Sequence, residues 1–182
     1  VYCLLFDLRV ARWMKGRHIY KSATTAQHAV RDVLTALFAR ELIMPSDELF
    51  LVEPWISNIV IIDNREGTFD TLNPGWGKRE VRLAEVLANL AAGGTRIHVV
   101  VRPDPHNQRF LGLLEEAMLD AGCADDARRT VRQLAELHTK GLLFGRQVLL
   151  KGSMNLTENG VSFNDEQVSV IFDGKAIADA HV

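Results

Sequence analysis

A histidine, a lysine, a serine and an asparagine near the end of the chain have the types and spacing of a site for phosphodiester chemistry. His138 and Lys140 are two positions apart, and so are Ser153 and Asn155. Side chains with this spacing on a strand point to the same face. Repulsion between an ammonium and a protonated imidazole favours the neutral, nucleophilic form of the histidine. A neutral base, a cation and two hydrogen-bonding groups suit a phosphodiester, whose transition state spreads negative charge over its non-bridging oxygens.

A β-hairpin is the element that must bring the two pairs together. Two apolar runs, Leu142–Phe144 and Val148–Leu150, flank the segment Gly145–Gln147, which has the composition of a turn. A hairpin of this length returns residues 152–155 to the neighbourhood of His138. The sequence therefore predicts that all four polar side chains converge on one spot.

These residues resemble the H-x-K-x4-D-x6-G-S-x-N signature of the phospholipase D superfamily. The residues from His138 through Lys140 to the stretch 152–155 match it in type and spacing, except at the aspartate, where this chain has Gly145. In the family that aspartate supports the site rather than contacting the phosphate, so the glycine bears on activity more than on fold. The stretch 156–166 is similar to the tail of the same motif, and the clear resemblance covers about residues 134–172.

The resemblance also implies a role for each residue. His138 would attack phosphorus and form a phosphohistidine intermediate. Lys140 and Asn155 would hold the non-bridging oxygens, with help from Ser153. Glu166 would accept a hydrogen bond from the far ring nitrogen of His138 and so fix its tautomer. The chemistry of the family requires no metal and no other cofactor.

The chain contains a single H-x-K motif, because none of its other five histidines has a lysine two residues on. A second histidine must protonate the leaving oxygen. The resemblance therefore implies a homodimer whose twofold axis brings two copies of His138 together.

Three functions are compatible with this resemblance. The first is a nuclease acting on DNA or RNA, because short single-motif chains of the family resemble bacterial nucleases. These include nucleases that accompany restriction and DNA-modification systems, such as the DpdK-like group, so nucleic acid and other proteins of a defence system are expected partners. The second is a phospholipase or transphosphatidylase, although no membrane-binding segment is evident. The third is a catalytically silent nucleic-acid-binding member.

Four basic residues are further candidates for contact with a substrate. Arg146 and Lys151 lie within the motif region and suit either a phosphate-backbone patch or an ordinary charged surface. Lys78 and Arg79 come at the end of a glycine-rich loop, just before a helix. Because basic side chains there oppose the helix dipole, they either serve a substrate or belong to a plain capping loop.

Trp55 follows Pro54 at the end of an apolar segment. Two positions are open to its indole. It packs in the core, or, if the strand ends at the catalytic cleft, it stacks on a nucleotide base.

Strand and helix patterns alternate along the chain. They predict an α/β fold with a mixed, mainly parallel β-sheet flanked by helices on both faces. Helices are expected at Thr24–Met44, from Leu83 to a stop at Gly93–Gly94, and at Asn107–Ala121. Strands are expected at Val1–Leu8, Leu49–Asp63, Ile97–Val101, Thr130–Leu137, Leu142–Leu150 and Gln167–Phe172. We expect a single domain over residues 1–182, with a separate N-terminal element at 1–45 as the alternative.

Composition narrows the class of protein. The 182 residues are 47% hydrophobic and 24% charged, which is typical of soluble globular proteins. A net charge of −2 excludes a globally basic protein, so any nucleic-acid surface must be a local patch. The start of the chain lacks the features of a signal peptide, and Cys3 and Cys123 have no metal-ligand spacing. We expect a cytoplasmic protein with two reduced core thiols, a single disulfide being the alternative.

Overall fold

The computed structural model describes residues 16–22, 24–123 and 128–180. Their strands are β1 (Gly16–Lys21), β2 (Glu48–Val52), β3 (Val60–Asp63), β4 (Glu80–Arg82), β5 (Arg96–Val101), β6 (Arg129–Gln133), β7 (Gly141–Phe144), β8 (Val148–Gly152) and β9 (Glu166–Ile171). Their α-helices are α1 (Ala29–Ile43), α2 (Leu83–Ala92), α3 (Pro105–Asp120) and α4 (Gly174–Ala180). The predicted strand Val1–Leu8 and Cys3 lie outside the described residues.

Seven strands form the main sheet, in the order β1-β9-β8-β7-β2-β5-β6. The pairs β2–β5 and β5–β6 are parallel, and the other four pairs are antiparallel. The mixed α/β class is therefore confirmed, but the expectation of a mainly parallel sheet is wrong. Parallel neighbours need a crossover connection, and helices α2 and α3 provide one between β2 and β5 and between β5 and β6. The consecutive strands β7, β8 and β9 have no such crossover and pair antiparallel.

The two faces of the main sheet are covered to different extents. Leu51, Leu142 and Leu150 point to a face that packs under α1, α2 and α3 and forms the principal core. Leu143 and Leu149 point to the opposite face, where α4 covers them with Ile177. Helices thus lie on both faces, as the sequence predicted, although α4 is the only helix on the second face among the described residues.

The predicted strand Leu49–Asp63 is in fact two strands in two sheets. It breaks at Pro54 into β2 and β3, and β3 pairs antiparallel with β4 outside the main sheet. Ile61 and Ile62 are buried because this small sheet packs into the core below α1, not because they lie in a covered parallel sheet. In the link between β2 and β3, Ile56 forms an isolated parallel bridge with Leu156.

The first helix starts five residues later than its pattern predicted. Ser22 and Thr25 close a turn through reciprocal backbone hydrogen bonds, and Ala26 adopts a φ of 52°. This turn delays the helix until Ala29. Its apolar face is as expected, with Val30, Leu34, Leu37 and Phe38 buried.

The other predicted elements are present with small shifts at their ends. The predicted strand Leu142–Leu150 is the hairpin β7–β8, with its turn at Gly145–Gln147. Cys123 is a buried free thiol, as expected, and burial raises its pKa. None of the helices in the described ranges is long and apolar enough to cross a membrane.

Candidate active site

Five chain segments meet at one edge of the main sheet. β2 and β5 end there, because they are parallel, and β8 ends there too. β7 and β9 start at the same edge, because each runs antiparallel to its neighbours. Clefts beyond the carboxyl ends of parallel strands are common ligand sites in α/β sheets. The motif residues His138, Lys140, Ser153 and Asn155 lie at this edge, next to the start of β7 and the end of β8.

His138 lies in the extended link just before β7, and its side chain is exposed. Nη2 of Arg102 lies 3.2 Å from its Nδ1 and 3.1 Å from its Nε2. A guanidinium can donate only to a ring nitrogen that carries a lone pair. Lys140 turns to the backbone instead, where its Nζ donates to the carbonyl oxygen of His138 at 3.2 Å.

Ser153 hydrogen-bonds to β9 through both its backbone and its side chain. Its N–H donates to the carbonyl of Gln167 at 3.0 Å, and its Oγ accepts from the N–H of Gln167 at 3.0 Å. The hydroxyl donates in turn to Glu166 Oε2. The preceding Gly152 allows this approach, since a Cβ at that position would lie 2.0 Å from the Gln167 carbonyl oxygen. The Gly-Ser pair of the motif thus joins β8 to β9.

Glu166 does not make the contact that the resemblance implied. Its two carboxylate oxygens accept from the Ser153 hydroxyl and, at 3.5 Å, from Nδ2 of Asn164. Among the described residues, the ring of His138 hydrogen-bonds with Arg102 and not with Glu166. The carboxylate is therefore coupled to the serine at the end of β8.

Asn155 carries a buried polar atom without a partner. Its Oδ1 has no hydrogen-bond partner within the part of the chain that the structure describes, and the same is true of Ser46 Oγ. Buried polar atoms are normally paired, so Oδ1 is available to a further hydrogen-bond donor. A half-turn of the amide would present Nδ2, a donor, at the same place.

Glu53 lies behind the site at the end of β2 and was not identified from the sequence. It is 1% exposed, and its Oε2 accepts from the N–H of Leu156 at 3.2 Å. Burial raises the pKa of this carboxyl well above its ordinary value, although the Leu156 N–H and the charge of Lys140 oppose the shift, and the charge of Glu166 adds to it. Glu53 thus fastens the residue after Asn155 to the end of β2.

Trp55 lies on the surface of the site rather than in the core. Its side chain is 37% exposed, and the guanidinium carbon of Arg102 stands 4.7 Å from the centre of its ring. Asn107, which is fully buried, holds this loop by accepting from the N–H of Ile56 and donating to the carbonyls of Pro54 and Arg102. The loop after β2 and the loop after β5 are thereby joined at the first turn of α3.

The turn Gly145–Gln147 lies at the opposite end of the hairpin from His138. Arg146, a predicted substrate contact, is therefore not brought to the site. The same holds for Gly145, the position of the family's aspartate. Gly145 has a φ of 54°, and a Cβ there would lie 2.8 Å from Oγ of Ser46. The backbone requires glycine at this turn, and the missing aspartate removes no group from the edge that carries His138.

The remaining basic candidates divide into two groups. Lys151 lines a groove of about 670 Å³ on the second face of the sheet, together with Lys140 and Arg132. Arg79 instead forms an ion pair with Glu85 in the first turn of α2, at 2.5 Å. Lys78 is exposed in the same loop, and no described contact connects it with the site. These contacts favour the capping-loop interpretation for Lys78 and Arg79.

Sequence reasoning missed three residues of the site: Arg102, Glu53 and Asn107. Each lies at the end of a strand or the start of a helix, far along the chain from the motif. For Glu53 and Arg102 the only signal was a polar residue directly after an apolar strand, and Asn107 lies in the first turn of α3. Within the described residues, no group of three or more histidine, cysteine or acidic side chains could hold a metal ion.

Comparisons with known proteins agree with this fold. The model of the family described as cardiolipin synthase, PLD-like domain, matches residues 60–181. NucT from Helicobacter pylori superposes with a TM-score of 0.59 at 13% identity, over 91% of this chain and 91% of that one. Nuc from Salmonella typhimurium, a phospholipase D family member, gives 0.54 at 12% identity, over 91% and 88%.

A larger enzyme contains a similar unit. Polyphosphate kinase from Porphyromonas gingivalis superposes with a TM-score of 0.58 at 16% identity, over 91% of this chain but 22% of that one. No curated protein sequence matches the chain. At these identities the structural likenesses concern the fold.

We expect the substitution Gly145→Asp, which restores the family's aspartate, to destabilise the protein without raising its activity. The positive φ and the contact with Ser46 should together cost about 1–3 kcal/mol of unfolding free energy. Urea unfolding would measure this, with Arg146→Asp as the control that places an aspartate at the neighbouring exposed position. An increase in turnover per folded molecule would show that the turn does influence the site.

We expect Glu53→Gln to stabilise the protein, and increasingly so as pH rises. Because the folded pKa of Glu53 is raised, the folded state must keep a proton that the unfolded state releases above its ordinary pKa. Stability is therefore lost as pH rises from the ordinary carboxyl range towards the folded pKa. Glutamine keeps the acceptor for Leu156 without this cost.

Thermal unfolding between pH 4 and pH 8 would measure the effect of Glu53→Gln. The variant should match the parent at the acidic end and exceed it at the basic end, while the exposed control Glu136→Gln should show a difference that does not change with pH. A loss of stability in Glu53→Gln that grows with pH would instead indicate an ionised carboxylate paired with Lys140.

Proposed function

The chain belongs to the phospholipase D-like family, and on this premise we propose that it cleaves phosphodiester bonds of DNA or RNA in a site shared by two copies of the chain. One observation carries the proposal. His138, Lys140, Ser153 and Asn155, which are spread over eighteen positions of sequence, are gathered at one edge of the sheet with their motif spacing explained by the hairpin.

The proposed reaction has two steps at phosphorus. A ring nitrogen of His138 attacks, a phosphorus–nitrogen bond forms, and the bond to the leaving oxygen breaks as the second copy of His138 gives that oxygen a proton. Water then attacks phosphorus as the second histidine takes up a proton of the water, the phosphorus–nitrogen bond breaks, and His138 is released together with the phosphate product. Lys140 and the amide of Asn155 hold the non-bridging oxygens, whose negative charge grows in each transition state.

Support for nucleic acid comes from the surroundings of the site. Lys140, Lys151 and Arg132 line one groove, and basic side chains in a row suit a charged polymer. The partly exposed ring of Trp55, next to Arg102, offers a surface on which a base can stack. A local basic patch of this kind is compatible with the chain's net charge of −2.

Support for two copies comes from what the chain supplies. It holds one H-x-K motif, and His138 is exposed at the sheet edge, where the histidine of another copy can approach it. The chain also matches nearly the full length of NucT and of Nuc, so a unit of this extent occurs by itself elsewhere in the fold family. A cytoplasmic location and association with a DNA-modification or defence system stay predictions from the resemblance.

One observation favours a lipid phosphodiester as the second candidate substrate. The groove beside Lys140 has an apolar floor that includes Phe50, Val52, Leu143 and Leu149. Such a floor could take an acyl chain while Lys140 contacts the phosphate. Release of headgroup from phosphatidylcholine or phosphatidylglycerol vesicles, without cleavage of nucleic acid, would select this function.

We expect the purified protein to cleave DNA or RNA in the presence of EDTA. His138→Ala should lower the rate by about a thousandfold or more, because it removes the nucleophile, and Lys140→Ala by about a hundredfold. Gel assays on single-stranded DNA, duplex DNA and RNA would measure both effects. His28→Ala, at an exposed histidine before α1, is the matched control and should keep full activity. Binding of nucleic acid with no cleavage by the parent chain would indicate a catalytically silent member.

We expect a His138→Ala subunit to inactivate the parent subunit with which it pairs. In an equal mixture of parent and His138→Ala chains that exchange freely, about one quarter of the parent activity should remain, because a shared site needs both histidines. Chains that work independently would keep about one half. Co-expression with two different tags, followed by an activity assay on the mixed pool and on the isolated heterodimer, would decide between these outcomes.

A further inference from the structure

Arg102 makes the most direct contact with the candidate nucleophile. It follows β5 at the site edge, and its Nη2 lies within 3.2 Å of both ring nitrogens of His138. Whichever nitrogen attacks phosphorus, Nη2 of Arg102 lies within hydrogen-bond distance of it. A substrate phosphate that reaches His138 must therefore meet Arg102 at the same place.

The position of Arg102 is fixed by groups that do not neutralise its charge. Its Nε donates to the carbonyl of Leu137 at 2.7 Å, and its guanidinium stands over the ring of Trp55. Its own carbonyl accepts from the buried Asn107. None of the ion pairs found among the described residues includes Arg102. The guanidinium is thus oriented at the site while its positive charge is not matched by a carboxylate.

The two possible partners of Arg102 Nη2, the ring of His138 and a phosphate oxygen, form hydrogen bonds of different strength. A hydrogen bond from a guanidinium to a neutral imidazole is modest, whereas one to a phosphate oxygen is charge-assisted and can be bidentate. An arriving phosphodiester should therefore displace the ring of His138 as the partner of Nη2. The exchange uncovers a ring nitrogen at the moment that phosphorus comes within reach of it.

We propose that Arg102 is a further catalytic residue, which binds a non-bridging oxygen of the phosphodiester and releases His138 for attack. The inference rests on the proposed function of the site and adds to it a second cation beside Lys140. The guanidinium then meets the negative charge that develops on the phosphate oxygens, and Nε keeps its bond to Leu137 throughout. Trp55, on the other side of the guanidinium, limits the directions in which it can move.

The first test needs no turnover, so it remains informative even if the protein cleaves no nucleic acid. The ring signals of His138 are followed by NMR while inorganic phosphate is added to the full chain. Phosphate should shift these signals in the parent, and Arg102→Ala should weaken the apparent phosphate affinity by about tenfold or more. Arg65→Ala, which removes an exposed arginine paired with Asp63, is the matched control and should leave the affinity unchanged. Absence of a shift in the parent, or equal affinity in Arg102→Ala, overturns the proposal.

The second test uses the cleavage reaction and separates catalysis from support of the loop. Arg102→Ala should lower kcat by about a hundredfold, as removal of a group that stabilises transition-state charge does. Guanidinium ion added to Arg102→Ala should restore part of that rate, and should restore none in Lys140→Ala. A purely structural role through Leu137 predicts a lowered Tm and no rescue, and that result overturns the proposal. Thermal unfolding of each variant accompanies the assay.

Discussion

The antiparallel pairing of β7 with β2 is the constraint on which the site depends. Val52 pairs with Gly141, so the start of β7 lies beside the end of β2. The link that carries His138 and Lys140 must then leave the sheet at the edge where β2 and β5 deliver Glu53 and Arg102. A parallel pairing at this point would place the motif at the other edge, away from both. The direction in which β7 pairs with β2 thus decides which residues lie together at the site.

Two close backbone approaches stabilise the second half of the motif. Gly152 lets β8 approach β9, and a Cβ at Gly160 would lie 2.2 Å from the carbonyl oxygen of Asn155. These glycines have packing roles: a side chain at Gly152 would push β8 away from β9, and one at Gly160 would collide with the backbone of Asn155. Gly145 belongs to the same hairpin but serves its far turn. The motif therefore contains polar residues that form the site and glycines that the backbone packing or the turn requires.

Charges at the site are arranged by depth. Arg102 and Lys140 are partly exposed, so a phosphate can reach them, and the side chain of His138 is exposed in the link just before β7. Glu53 is buried behind them, and burial raises its pKa. Glu166 accepts hydrogen bonds from Ser153 and Asn164. The two cations thus lie nearer to solvent than the buried carboxyl of Glu53.

The sequence by itself determined the local features of this protein. The spacing of His138, Lys140 and the stretch 152–155 around a turn predicted the hairpin and the cluster, and apolar periodicity located the faces of α1 and α2, because both signals act over a few residues. Only the tertiary structure decided the rest. It separated β3 from the main sheet and made most strand pairs antiparallel. It placed Trp55 at the surface and Arg146 at the far end of the hairpin, and it brought Arg102 to His138 and Glu53 to Leu156. These outcomes depend on which strands become neighbours, and that choice is set by burial of the whole core rather than by the residues adjacent in the chain.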